Sequence, residues 1–537
     1  MHDIFTRCAL ALTTRAGRAG ALVGAGLAGA AAAAWARAVM LMIAVALGGC
    51  ASLPGNVGRP VTSVPVDVAR TTLARMAAAT IPAVQPDLSA IRLLPQGEEA
   101  FQTRLALIRR AEKTLDIQYY LIANDRTGLE FLGAVRDAAV RGVQVRILVD
   151  DLYATGEDAL YEQMAAMQDV SVRMFNPLPV RGESFVARIA LSLRELPRIN
   201  HRMHNKLLVA DGSFAVVGGR NIADEYFDRA GGAANFIDMD VLVTGRVVAD
   251  LQRAFVDFWD SPHSYPLQDL VLSAAVQSTV SFFANETPGS NAPIEPEWFA
   301  AQAGMAPATV TLLADKPTKV DDSVGAVAEG HLALLDEARS EVILSSPYLV
   351  LGDRARTVLR GDLARDIRVS ILTNSLATTD EPIVHLGYAR HRADLVAGGI
   401  SLSELMPGEQ SADDARAGTR FARRSDSAGR LHGKLAVIDA STAFVGSMNL
   451  DRRSDRCNTE YGIVIRSATL AQSVRDFLVR QIDDRSYGVH LEAATGGLRW
   501  VDARRAAGPS RSDEPERESP LGLGTRLVAH LVGEDML

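Results

Sequence analysis

From residue 97 onward, the apolar positions of this chain alternate between helical spacing and the unbroken runs of buried strands. Residues 98–112 place apolar side chains three and four apart, which predicts a helix. Leu115-Asp116-Ile117-Gln118-Tyr119-Tyr120-Leu121 predicts a strand. A helix over 128–141 follows, then a strand over 142–151 that ends in Asp150 and Asp151. Residues 159–168 read as a helix and 170–175 as a short strand, while 177–197 show no period and read as a connection. Two apolar runs, 207–209 and 214–217, flank Asp211-Gly212, which predicts two strands joined by a turn. A strand over 236–243 and a helix over 248–259 complete the series. This alternation predicts an α/β fold with helices packed on mixed sheets.

Pro262, Pro266, Pro288, Pro293 and Pro296 then interrupt the pattern, so 261–307 reads as a linker. After it the series repeats, with a helix over 326–339, strands over 341–349 and 366–374, and paired runs within 431–449. A strand over 461–465 and a helix over 470–483 follow. Tyr120 and Tyr348, like His204 and His432, are 228 residues apart. One offset shared by two markers indicates a duplicated domain. The expected division is a first half at 91–260, a second at 308–487 and a tail at 488–537. The charged, proline-containing stretch 503–520 reads as mobile, and 523–537 as a short amphipathic helix.

The N-terminus departs from this pattern. Residues 1–49 are rich in Ala and Gly, carry Arg7, Arg15, Arg18 and Arg37 against Asp3, and end in the apolar run 38–49. A basic flank, a short apolar core and small residues predict a secretory signal, too short for a confident membrane span. Leu47-Gly48-Gly49-Cys50 resembles a bacterial lipoprotein signal, which implies a lipid anchor on Cys50. Residues 50–90 would then be a tether, and Ala51 points to the outer membrane facing the periplasm. Without its signal the chain keeps Cys50 and Cys457, so the fold does not depend on an internal disulfide. The formal charge of −8 becomes about −11 without residues 1–49. Such an acidic chain is a poor general nucleic-acid binder.

The candidate chemistry lies in His204-Asn205-Lys206-Leu207-Leu208-Val209-Ala210-Asp211 and the residues up to Asn221. The second copy runs from His432 to Asn449 and repeats His, Lys, Asp, Gly and Asn at identical spacing: His204/His432, Lys206/Lys434, Asp211/Asp439, Gly218/Gly446 and Asn221/Asn449. A histidine at a strand edge does not account for five matched positions. This doubled pattern resembles the phospholipase D superfamily from about residue 97 to 482. Residues 202–206, 217–221, 238–240, 373–380 and 387–390 are similar to bacterial type C cardiolipin synthases.

The resemblance implies two halves around a pseudo-twofold axis that share one active site. Its chemistry is transfer of a phosphatidyl group through a phosphohistidine, with phosphatidylglycerol and phosphatidylethanolamine as candidate lipids. The alternatives are hydrolysis to phosphatidic acid and, further off, nuclease action. A neutral imidazole attacks an anionic phosphodiester without charge repulsion, and a second, protonated one donates to the departing alkoxide. The resemblance assigns His204 as nucleophile and His432 as general acid, then base. Lys206, Lys434, Asn221 and Asn449 are expected to hold the non-bridging oxygens, with Ser447 adding a hydroxyl. That cationic clamp takes the place of a metal, and no cofactor is expected. Each histidine needs an acceptor on its second nitrogen. Glu460 fits that role in the family pattern, with Asp238 as its first-half counterpart and Asp240 as competitor. Asp211 and Asp439 belong to the motif but stand at strand-to-turn junctions, where capping competes with catalysis. His385 and His391 are candidate head-group contacts.

Overall fold

The computed structural model describes residues 53, 67–81, 85, 87–154, 157–179, 188, 192, 195–231, 234–270, 304–320, 325–407, 429–504, 511, 512, 514 and 515. The expected signal at 1–49, Cys50, residues 54–66 of the 50–90 tether, the middle of the 261–307 linker and the helix expected at 523–537 lie outside them.

Among the described residues, seventeen strands form one continuous mixed sheet. At its centre Ser89–Leu94 pairs antiparallel with Ala306–Ala314, Ser89 opposite Ala308 and Ile91 opposite Ala306. Both halves run outward from this seam in the same order. In the first, Asp240–Gly245, Phe214–Gly218, Leu207–Ala210, Thr114–Tyr119 and Gln144–Asp150 follow one another. In the second, Tyr461–Arg466, Thr442–Gly446, Lys434–Ile438, Glu341–Ser345 and Arg368–Asn374 do the same. The innermost neighbours are antiparallel, whereas Thr114–Tyr119 and Glu341–Ser345 each begin a parallel run. Strands covered on both faces need apolar side chains at every position, hence the unbroken runs 207–209 and 214–217.

One apolar layer belongs to both halves. Leu207, Val209, Val241 and Phe258 pack in the same cluster as Leu435, Val437, Tyr461 and Ile463. Helix Arg246–Trp259 buries Val247, Leu251, Phe255 and Phe258 in this layer, and helix Ala468–Arg485 buries Leu470, Val474 and Leu478 there. Each half also has its own outer core.

Two departures from the sequence reading matter for the site. The single strand expected over 236–243 breaks into Phe236–Ile237 and Asp240–Gly245. Asp238 turns its Oδ1 onto the Met239 amide at 2.7 Å, and Phe236–Ile237 leaves the main sheet to pair in parallel with Arg430–Leu431 of the other half. The sheet also continues past residue 487, where Ser486–Leu491 and Leu498–Asp502 form its outer edge.

Candidate active site

Each histidine sits on a loop whose base is fixed by a polar residue ending a parallel strand. Asp150 ends Gln144–Asp150; it accepts from the Met203 amide at 2.8 Å and pairs with Arg202 at 3.1 Å. Asn374 ends Arg368–Asn374, donates to the Leu431 carbonyl and accepts from the Leu431 amide, both at 2.9 Å. The chain is thereby anchored one residue before His204 and one before His432.

Each loop is also tied to the opposite half. The His204 amide donates to the Thr459 carbonyl at 2.9 Å, and the His432 amide to the Ile237 carbonyl at 2.8 Å. These contacts carry the acid of one half to the histidine of the other. His204 Nδ1 lies 2.9 Å from Glu460 Oε2, and His432 Nδ1 lies 2.6 Å from Asp238 Oδ2. The sequence pattern set Glu460 beside His432 in the chain and Asp238 in the half of His204; in space the pairs are crossed. Asp240, the competitor, is fully committed elsewhere, to Arg104 at 2.9 Å and Arg220 at 3.3 Å.

With Nδ1–H donated to a carboxylate, each neutral imidazole keeps an Nε2 lone pair. Both rings line one cleft of about 550 Å³, together with Asn221, Asn449, Tyr120, Tyr226 and Tyr348. Tyr120 meets the His204 ring edge-on at 5.2 Å, and Tyr226 meets His432 in the same way at 5.0 Å. These aromatic neighbours hold the rings in place and dry the site.

Lys206 and Lys434 are buried beside their histidines. Lys206 Nζ donates to the His204 carbonyl at 2.8 Å, and Lys434 Nζ to that of His432. Burial lowers both ammonium groups, Lys434 to about 8. Asn221 and Asn449 are buried at the cleft, and Oδ1 of each has no partner among the described residues. Asn221 Nδ2 contacts the Tyr226 hydroxyl at 2.9 Å. A half-turn of that amide lets Tyr226 donate to its oxygen and frees the NH2 group for an anionic guest.

The two histidine–acid pairs differ electrostatically. Burial, reinforced by Lys434, lowers His432 to about 4 against the pull of Asp238. Burial alone would raise Asp238, but His432, Lys434 and Arg220 outweigh it and hold the carboxyl at about 2. His204 is driven well below its ordinary value by burial, with Lys206 and Lys434 adding to it. Burial instead pushes Glu460 up to about 7, even though Ser454 donates to it at 2.8 Å and Ser447 at 2.5 Å.

Three expectations are corrected by these contacts. Ser447, expected at the phosphate, spends its hydroxyl on Glu460 Oε2 and accepts from the Tyr461 amide. Its counterpart Gly219 is needed for space, because a Cβ there would lie 2.5 Å from both Asp238 carboxylate oxygens. Asp211 and Asp439, counted with the catalytic set, are turn anchors. Asp211 accepts the amides of Glu112, Lys113 and Thr114, and Asp439 those of Arg339, Ser340 and Glu341. Both stand at positive φ (48° and 51°) at the strand end remote from the histidine. His385 bonds Glu514 at 2.7 Å, and His391 lines a separate groove with Leu359 and Leu395; neither lines the cleft.

The sequence reading missed Ser454, which holds Glu460, and the buried pair Asp315–Lys319 (2.8 Å), which receives the Glu460 amide at 3.1 Å. It noted Asp150 as a strand end and Asn374 as a strand end within a stretch similar to type C cardiolipin synthases, and their matched position in the two halves is the signal that marks them as loop anchors. Among the described residues no group of three or more His, Cys, Asp or Glu is arranged to hold a metal ion, and no helix is long and apolar enough to cross a membrane.

The chain matches the family described as "Cardiolipin synthase, PLD-like domain" over residues 105–259 and 332–481. It is 32% identical over 446 residues to cardiolipin synthase C of Escherichia coli K12, which covers 80% of this chain and 92% of that protein. Cardiolipin synthase A of Pseudomonas fluorescens is 26% identical over 390 residues, covering 72% and 67%. The crystal structure of phosphatidylserine synthase from Haemophilus influenzae Rd KW20 has a similar fold, with a TM-score of 0.50 and 14% identity over 77% of this chain and 91% of that one.

Proposed function

This chain belongs to the cardiolipin synthase family of phospholipase D-like enzymes, and from that premise we propose that it transfers phosphatidyl groups between phospholipid head groups to form cardiolipin. The observation that carries the proposal is the crossed pair of histidine–acid couples facing one cleft. His204 Nε2 attacks phosphorus and the bond to the head-group oxygen breaks. His432, protonated, gives its proton to that oxygen, and the phosphatidyl group rests on His204. The acceptor alcohol then loses its proton to His432 and attacks phosphorus, and the P–N bond breaks to release the product and His204. Phosphatidylglycerol is the proposed acceptor, with phosphatidylglycerol or phosphatidylethanolamine as donor.

The electrostatics support this division of labour. Asp238 is a full carboxylate and favours an imidazolium at His432. In the empty site His432 is neutral, and the incoming phosphodiester anion supplies the charge that raises its proton affinity. Glu460 carries its charge weakly, so His204 stays neutral and nucleophilic. The lysine and asparagine pairs meet the charge that develops on the non-bridging oxygens. Lipid attachment at Cys50 and an outer-membrane position facing the periplasm belong to the same proposal, supported by Leu47-Gly48-Gly49-Cys50-Ala51.

The test is incubation of the purified protein with phosphatidylglycerol, with and without phosphatidylethanolamine, and mass spectrometry of the lipids. Cardiolipin is the expected product. Phosphatidic acid alone under both conditions would overturn transfer in favour of hydrolysis.

A further inference from the structure

The two histidines, two lysines and two asparagines account for the phosphate, and among the other polar groups that line the cleft Asp380 is set apart by its hydrogen bonding. Asp380 stands just before helix Pro382–Ala389 and lines the cleft with Tyr348, Tyr226 and His432. Its Oδ2 accepts from the Tyr348 hydroxyl at 2.8 Å. Its Oδ1 is buried and has no partner among the described residues. A buried carboxylate oxygen left without a donor is costly, so the position calls for a guest that completes it.

Its place along the cleft says which part of the substrate that guest is. The charge of Asp380 acts on His432 and on Lys434, so it lies on the general-acid side. On that side the departing head group takes up its proton and the incoming alcohol gives one away. Tyr348 keeps its proton there, because burial and then the neighbouring Asp380 push its hydroxyl well above the ordinary value. It therefore remains a donor and fixes the carboxylate's orientation.

We propose that Asp380, oriented by Tyr348, reads the polar end of the head group beside His432 by accepting a hydrogen bond from an ammonium or hydroxyl on it. This rests on the phosphatidyl-transfer reading and adds a substrate class to it: head groups with a second hydrogen-bond donor beyond the reacting oxygen. Glycerol and ethanolamine have one; a simple alkanol does not. A site built around an acceptor rejects a ligand that leaves the acceptor unpaired.

Alcohol competition in mixed micelles tests this. The protein, with a phosphatidyl p-nitrophenyl ester as donor so that the first step does not use the subsite, is offered glycerol, ethanolamine or 1-propanol, and initial rates of phosphatidyl transfer are compared. Asp380→Ala is expected to lower kcat/KM for glycerol and ethanolamine about 10- to 100-fold, the worth of one charged hydrogen bond, and to leave 1-propanol within about 3-fold. Tyr348→Phe should act in the same direction by about 3- to 10-fold. With Asp380→Asn, a larger loss for ethanolamine assigns an ammonium to the subsite and an equal loss assigns a hydroxyl; both sustain it. Equal losses for all three alcohols under Asp380→Ala, or no loss, would overturn it. If the wild type transfers to no alcohol and only releases phosphatidic acid, the transfer reading fails. Head-group release from phosphatidylethanolamine and phosphatidylglycerol against phosphatidylpropanol then gives the same discrimination for Asp380.

Discussion

Replacing Asp238 by Asn isolates the general acid. The substitution keeps the shape of the side chain and removes a charge 2.6 Å from His432 Nδ1, in a place where the acid is fully buried and the histidine ring is 6% exposed. A charge pair about 4 Å apart is worth roughly 4 kcal/mol at an effective dielectric constant near 20. Arg220 and Lys434 already share that carboxylate. A loss of about 3 kcal/mol from the protonated state of His432 is therefore reasonable, or about 100-fold in rate. The amide also turns an N–H toward Nδ1 and so disfavours the tautomer that leaves Nε2 free. The assay is the first turnover, measured as release of ethanolamine or glycerol and, separately, of p-nitrophenol from the corresponding phosphatidyl ester. The natural head groups leave as poor alkoxides that need a proton, whereas p-nitrophenolate does not. Asp238→Asn should slow natural head-group release about 100-fold and the p-nitrophenol burst less than about 10-fold. Glu460→Gln, which disturbs the nucleophile, should slow both bursts alike. Equal losses for both substrates in Asp238→Asn would refute His432 as the acid of the first step.

The remaining expectations concern stability and location. Glu460 rises from an ordinary 4.5 to about 7, so between those values the folded protein holds a proton that the unfolded chain has lost. Its burial is neutral below about pH 4.5 and costs up to about 3 kcal/mol as pH climbs through 7. Glu460→Gln should accordingly gain in melting temperature on the wild type between pH 5 and pH 8, and a gap that shrinks over that range would contradict the assignment. Asp211→Ala orphans three backbone amides and should cost about 2–4 kcal/mol in denaturant unfolding while kcat of the folded fraction stays within about 3-fold. A kcat loss beyond 100-fold at unchanged stability would restore Asp211 to the chemistry. Cys50→Ser should abolish incorporation of labelled palmitate and move the protein from the membrane to the soluble envelope fraction; unchanged labelling would remove the anchor.

What was legible in the sequence was whatever depends on positions along one segment. The apolar runs around His204 and His432 gave the strands, because a strand covered on both faces leaves no room for polar residues. The shared 228-residue offset gave the duplication. Partners set by three-dimensional placement were not legible. Nothing in the spacing of Glu460 from His432 says that its carboxylate crosses to His204, since the crossing depends on Thr459 and Ile237 receiving the two histidine amides. The run 236–243 looked like one strand because Phe236, Ile237, Met239 and Val241 are all apolar. The break at Asp238 comes from pairing with Arg430–Leu431, nearly 200 residues away. Asp211 carried the weight of the motif, yet its short side chain and left-handed backbone suit it to a turn.

The crossed pairs bear on how such a protein can change over time. Two identical halves meeting as separate subunits would be bound to place the same acid behind both histidines, so any alteration that improved one would alter the other equally. Joining them in one chain across the Ser89–Ala308 seam lifts that restriction. An aspartate can then back one imidazole and a glutamate the other, with a glycine beneath the first and a serine beneath the second. Fusion thus lets a symmetric scaffold acquire two differently tuned bases, and the division between attack and proton transfer can be refined one side at a time.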